Sequence, residues 1–263
     1  MRLTVKAVFE KKKKREKIVA LTAYDYPLAK ILDDEGIDII LVGDSVGMVL
    51  LGYDTTMPVS MRDMMHHARA VSRAVRNALV VADMPFGAYS EPAGALRNAK
   101  RFIKEAGADA VKLEGGRKIQ TCIKALIQAG IPVMGHLGMT PQSFTQLGGY
   151  RVQGRSVHEA NSILKDALLL DKLGVFAIVL ECIPSLLAQK ITRRVKCPTI
   201  GIGAGPATDG QILVLHDMLG FEGHVRPKFV RRYAALERIA RDAVKAYRQD
   251  VLAGKYPSKD ESY

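Results

Sequence analysis

The chain has 263 residues, 48% of them hydrophobic, and a formal net charge of +12, enough for one large α/β domain or two modest ones. No run reaches the ~18 consecutive apolar residues of a membrane span, and Met1–Lys17 lacks the apolar segment of a secretory signal, so the expectation is a soluble cytoplasmic protein with no membrane partner. Glu10–Lys17 and Arg226–Lys255 together supply +10 of the charge; the bases are not interleaved with aromatic residues and no nucleic-acid motif accompanies them, so a solvated surface is the first reading, attraction of anionic small molecules the second, and no nucleic-acid partner is expected.

In chain order, Val- and Ile-rich runs alternate with stretches of helical periodicity. Strands are predicted at Ile18–Thr22 and Ile37–Val42, then a helix at Met61–Arg76 with Ser60 as its N-cap, then a strand at Leu79–Ala82. A helix at Pro92–Glu105, with proline in its first turn, leads to a strand at Ala108–Leu113. Helices at Ile119–Gln128 and Ser156–Leu173 stop before Gly130 and Gly174, and each is followed by a strand, Ile131–Gly135 and Val175–Leu180. A short helix at Ser185–Val195, a strand at Thr199–Ile202, a short element at Thr208–Gln211, a strand at Ile212–Leu215 and an outer helix over Arg226–Gly254 complete the pattern.

Eight strands joined by helices imply an α/β fold: one (β/α)8 TIM barrel over residues 1–263, with an N-terminal basic extension and a long C-terminal helix. Two connections are longer than usual, Gly43–Ser60 and Gly135–Arg155; both follow strand C-termini and are expected to overhang the mouth of the barrel. Cys122, Cys182 and Cys197 are an odd number at wide spacing, which suggests neither a disulfide framework nor a zinc site.

The chemistry-bearing residues stand at strand ends, which in such a barrel all point to one mouth. Asp44 and Ser45 follow the second strand, Asp83 the third, and Lys112 and Glu114 close the fourth. Asp44, Asp83 and Glu114 form an all-oxygen set suited to a hard divalent cation such as Mg²⁺, with positions left open for a substrate carbonyl; the plainer alternative is that each aspartate caps the turn after its strand. Lys112 lies on the same strand face as Glu114 and could hold a substrate carboxylate or an enolate oxygen, form an ion pair, or act as the Schiff-base nucleophile of a metal-free aldolase.

Glu181 ends an apolar strand, where partial burial suits a general base; capping of the following turn is the alternative. His136, directly after the fifth strand, could donate to an anionic ligand or to Glu181, or be structural. The glycines of Gly201–Pro206 fit a phosphate-binding loop and a tight turn equally well. A metal-dependent lyase acting on another 2-oxo acid is the rival reading on the same scaffold.

Val42-Gly43-Asp44-Ser45, Gly52-Tyr53-Asp54-Thr55-Thr56, Ala82-Asp83-Met84-Pro85-Phe86, Val111-Lys112-Leu113-Glu114-Gly115-Gly116, Gly135-His136-Leu137-Gly138-Met139-Thr140-Pro141-Gln142, Leu180-Glu181-Cys182-Ile183-Pro184 and Ile200-Gly201-Ile202-Gly203-Ala204-Gly205, taken in order, resemble the ketopantoate hydroxymethyltransferase family. The resemblance implies the same barrel and the transfer of a hydroxymethyl unit from 5,10-methylenetetrahydrofolate to 2-oxoisovalerate, on the route to pantothenate and coenzyme A. By resemblance, Asp44 and Asp83 ligate Mg²⁺ with Glu114 in its shell, Ser45 and Lys112 hold the keto acid, Glu181 accepts the proton and His136 lines the pocket. It also implies a homo-oligomer, expected as a decamer.

Overall fold

Eight parallel strands close into a barrel in sequence order in the computed structural model, which describes residues 2–143, 151–221 and 227–263. The strands are β1 Ile18–Thr22, β2 Ile39–Val42, β3 Leu79–Asp83, β4 Ala110–Glu114, β5 Val133–Gly138, β6 Ala177–Glu181, β7 Thr199–Ile202 and β8 Gly210–Leu213. The predicted (β/α)8 architecture is therefore the observed one. The helices are α1 Val5–Lys14, α2 Tyr26–Asp34, α3 Val46–Val49, α4 Met61–Ala74, α5 Pro92–Ala106, α6 Gln120–Gln128, α7 Val157–Leu173, α8 Ser185–Arg194, α9 Leu215–Leu219 and α10 Leu236–Leu252. The chain forms two compact units, residues 1–214 and 215–263. In the second, α10 runs over only part of the predicted Arg226–Gly254 helix and has no buried residue; residues 222–226 lie outside the described set.

Alternation along each strand decides what the barrel holds. Side chains two residues apart share a face, so Ile18, Ala20, Ile39, Leu41, Leu79, Val81, Ala110, Met134, Ala177, Val179, Ile200 and Ile212 form one buried apolar cluster. Continued towards the C-terminal ends, the same parity places Asp83, Lys112, Glu114, His136 and Glu181 on the inner face. The register sets them side by side: Asp83 opposite Lys112, and Glu114 opposite His136.

The floor of the barrel is closed by the basic extension, which is a helix. Val8 of α1 is fully buried in the apolar cluster, with Leu3, Val5 and Phe9 packed against it. Two of the extension's lysines are tied down as well. Lys11 pairs with Asp38 at 2.6 Å and Lys12 with Asp209 at 2.9 Å, and Lys12 also donates to the carbonyls of Thr192, Val195 and Cys197.

Several strand starts were predicted two residues too early, for one reason. Ile37, Ile131 and Val175 donate their backbone N–H groups to Leu32, Leu126 and Leu170, and Ala108 donates to Phe102. Each apolar residue belongs to the left-handed glycine stop of the preceding helix and only then leads into a strand. The predicted Thr208–Gln211 element is a turn entering β8: Thr208 Oγ1 donates to the Gly210 carbonyl at 2.8 Å, and Asp209 accepts from Thr199 N at 2.8 Å. The predicted eighth strand, Ile212–Leu215, overran its end because Leu215 already opens α9. α1 and α2 were not predicted as helices. Part of the Gly135–Arg155 connection, 144–150, lies outside the described residues.

Candidate active site

At the C-terminal mouth, the predicted residues of β2, β3 and β4 come together. Gly43 lets the chain turn tightly after β2: a Cβ there would sit 2.8 Å from Ser45 Oγ and 3.5 Å from Asp83 Oδ2. The Asp44 backbone N–H thereby reaches Asp83 Oδ2 at 3.2 Å, and Asp83 Oδ1 forms a short ion pair with Lys112 Nζ. Asp44, Asp83, Lys112, Glu114 and His136 are all buried, while Ser45 and Glu181 are half-buried. The side chain of each aspartate bonds another segment of the mouth. Asp44 Oδ2 accepts from Gln142 Nε2 at 2.7 Å, and Ser45 Oγ lies 2.8 Å from the Tyr24 hydroxyl.

His136 stands between two carboxylates, with Nδ1 3.3 Å from Glu114 Oε1 and Nε2 3.1 Å from Glu181 Oε2. Both contacts are at ion-pair distance, and neither is well aligned as a hydrogen bond. Burial and Lys112 disfavour the imidazolium, but Glu114 and Glu181 outweigh them and raise its pKa to about 9. A charged His136 therefore faces Glu181 at neutral pH.

The same balance governs the acids. Burial, then Asp83 and Glu114, push Asp44 well above the ordinary carboxylate range; burial raises Asp83 too, with Lys112 opposing it. Burial also disfavours the Lys112 ammonium, yet Asp83, Glu114 and Asp44 together keep it charged. A protonated amine is not a nucleophile, which weighs against the Schiff-base reading. Burial, then Glu181, push the Cys182 thiol up to about 12, so it is no ready nucleophile either.

The donor set fits a hard divalent cation. Asp44, Asp83, Glu114 and Glu181 converge on the mouth beside Lys112 and His136, and burial and neighbouring carboxylates hold Asp44 and Asp83 above their ordinary pKa, a cost that a bound cation would relieve. Among the described residues no three His, Cys, Asp or Glu side chains are grouped so as to hold a metal ion between them. Mg²⁺ takes one or two carboxylates and fills its remaining positions with water or substrate, and the neighbouring carboxylates of Asp44 and Asp83 meet that need.

Two further features complete the mouth. Gly138, at φ 99°, carries the chain from β5 over the end of β6, where a Cβ would lie 2.2 Å from the Glu181 carbonyl; Met139 N donates to that same carbonyl at 2.9 Å. The Gly201–Pro206 segment has the build of a tight turn: Lys17 Nζ donates to the carbonyls of Pro206 and Thr208, and Gln211 Nε2 to that of Gly205 at 3.0 Å.

Sequence reasoning missed three residues at this site: Tyr24, Tyr89 and Gln142. Tyr24 lies two residues beyond β1, and the strand-end rule that found the acids would have found it. Tyr89 and Gln142 sit on connections and carry no charge, so neither position nor residue type marked them.

The sequence matches the family model described as Ketopantoate hydroxymethyltransferase over residues 2–259. A curated relative from Thermoanaerobacter sp. (strain X514), named 3-methyl-2-oxobutanoate hydroxymethyltransferase, is 57% identical over 254 residues, covering 96% of this chain and 92% of its own. A second of the same name, from Syntrophomonas wolfei subsp. wolfei, is 53% identical across 100% of this chain and 95% of its own. Among solved structures, phosphonopyruvate hydrolase in complex with oxalate and Mg²⁺ superposes with a TM-score of 0.65 at 14% identity, covering 98% of this chain and 93% of that one. The 2,3-dimethylmalate lyase, a member of the PEP mutase/isocitrate lyase superfamily, gives 0.59 at 15% identity, covering 100% and 92%. At that identity the structures speak for the fold, whereas the full-length sequence matches speak for descent: the chain is an enzyme that belongs to the ketopantoate hydroxymethyltransferase family.

Proposed function

We propose that the protein catalyses Mg²⁺-dependent transfer of a hydroxymethyl group from 5,10-methylenetetrahydrofolate to 2-oxoisovalerate (3-methyl-2-oxobutanoate), giving 2-dehydropantoate for pantothenate and coenzyme A synthesis. The observation that carries this reading is the buried Asp44, Asp83 and Glu114 set beside a charged Lys112, with Glu181 facing it across His136. Asp44 and Asp83 would hold the cation, with Glu114 in its shell. When bound, Mg²⁺ would supply Lewis-acid polarisation of the keto oxygen. The phosphonopyruvate hydrolase of the same fold holds Mg²⁺ together with oxalate, a dicarboxylate chelator, which is in keeping with a chelated 2-oxo acid here.

The chain's own residues then divide the work. Ser45 and Lys112 orient the keto acid, and the Lys112 ammonium stabilises negative charge as it develops towards the enolate oxygen. Glu181, half-buried at the end of β6, removes the C3 proton, and His136 keeps its carboxylate turned into the pocket. The enolate carbon bonds to the folate methylene as one methylene–nitrogen bond opens; the second breaks as water supplies the hydroxyl oxygen, and tetrahydrofolate leaves with the abstracted C3 proton and the remaining proton of the water on its two nitrogens. We place the enzyme in the cytoplasm as a homo-oligomer, a decamer, with small-molecule substrates as its only other partners; light scattering on the purified protein checks the subunit number.

The decisive measurement is NMR of 2-oxoisovalerate in D₂O with protein and Mg²⁺, without folate. Loss of the C3 proton signal that stops with EDTA and returns with Mg²⁺ is the expected result. Glu181→Gln should slow this exchange by about 10²- to 10⁴-fold, the usual contribution of a positioned base, while the keto acid still binds. Unchanged exchange in that variant would reassign the base, and no exchange by the native protein would sink the reading.

A further inference from the structure

The connection after β5 sends one neutral side chain into the acidic cluster, and no role assigned above uses it. Gln142 is buried, and it joins four separate segments of the mouth. Its Nε2 donates to Asp44 Oδ2 beyond β2 at 2.7 Å and to the Met84 carbonyl beyond β3 at 2.9 Å. Its Oε1 accepts from the Tyr89 hydroxyl at 2.5 Å, and its backbone N–H donates to Glu114 Oε2 on β4 at 3.0 Å.

The amide can face only one way. The Met84 carbonyl accepts hydrogen bonds and cannot donate them, so it demands the NH₂ end. On the other side, the Tyr89 oxygen already accepts from Glu114 N at 3.3 Å, and its proton is directed to Oε1. Charge makes the arrangement distinctive. Lys112 brings a cation to the carboxylate it touches, whereas Gln142 holds one oxygen of Asp44 with a neutral donor.

We infer that Gln142 is the positioning residue for the cation-binding carboxylates: its side-chain amide sets the Asp44 carboxylate, and its backbone N–H sets that of Glu114, before any ion arrives. Groups that orient metal ligands typically contribute 10- to 100-fold in metal affinity. The inference rests on the proposed cation at Asp44 and Asp83, and its test separates the two claims.

The test is calorimetric titration of the full chain with Mg²⁺ alone, for the native protein, Gln142→Met, Tyr89→Phe and, as a control, Asp83→Asn. Gln142→Met keeps the length and volume of the side chain but has no donor for Asp44. It is expected to weaken Mg²⁺ binding by about 10- to 100-fold, to lower the unfolding temperature in EDTA through the lost buried hydrogen bonds, and to regain most of the proton-exchange rate on 2-oxoisovalerate at saturating Mg²⁺. Tyr89→Phe removes the donor to the amide oxygen, which loosens the side chain, and should weaken binding in the same direction by a smaller factor; it decides the matter if Gln142→Met does not fold. Native Mg²⁺ affinity in both variants, whatever their unfolding temperatures, would make Gln142 a packing residue and overturn the inference. Absence of Mg²⁺ uptake by the native protein would instead sink the cation assignment, a result distinct from unchanged affinity in the variants.

Discussion

Asp83 serves two purposes that substitution can separate. It is the ion-pair partner of the buried Lys112, and its other oxygen accepts the Asp44 backbone N–H. Asp83→Ala leaves a buried ammonium with only more distant acids, and loss of one partner of a buried pair costs about 3–5 kcal/mol. Urea unfolding should register a loss of that order, so inactivity of this variant would not by itself identify a metal ligand. Asp83→Asn keeps the shape and one acceptor; it should abolish Mg²⁺ uptake in calorimetry while circular dichroism shows the native fold. At this scale the acids were legible in the sequence because both their residue type and their strand-end position are written there. Gln142 and Tyr89 were not, because a neutral side chain on a connection acquires its role only from what the fold brings against it.

Boundaries between elements depend on how helices end. Ile37, Ile131 and Val175 looked like the first residues of strands, and each is instead bonded to the last turn of the helix before it. Apolarity is the same signal in both roles, so composition alone could not separate them. Asp33, in the last turn of α2, shows a similar dependence on tertiary structure: its carboxylate accepts from the backbone N–H groups of Arg76, Asn77 and Ala78 at the entrance to β3. Burial works against the charged form, but these hydrogen bonds together hold its pKa below the ordinary value. Such a group adds stability that is fully present above the unfolded-state pKa, about 4 for aspartate, and is lost as pH falls through the lower folded-state value. Asp33→Asn should therefore destabilise the protein by about 1.5–3 kcal/mol at pH 7. The gap between variant and native protein should close as urea titrations are repeated towards pH 2; a gap independent of pH would refute the account.

For the whole molecule, the basic extension changes meaning once the fold is known. Glu10–Lys17 suggested a solvated tract, and Lys13–Lys17 are exposed, yet α1 closes the floor of the barrel, with Val8 fully buried and Lys12 gathering three carbonyls and Asp209. Val8→Asp would place an unpaired carboxylate in that apolar cluster and should cost several kcal/mol. Since the floor and the mouth are opposite ends of the barrel, the fraction that remains folded should keep native Mg²⁺ affinity. Weakened binding in that fraction would show that the two ends are coupled.

The order of strands and helices, and the set of acids that could reach one mouth, were determined by the sequence itself, because alternation along a strand and a carboxylate at its end are local properties of the chain. Tertiary structure alone decided which of those charges are paired, how an uncharged glutamine ties four segments together, and that a lysine-rich helix is the floor of the barrel. Those outcomes depend on contacts between residues far apart in the chain and on burial, which sets the strength of every charge at the site; neither is a property of any short stretch of sequence.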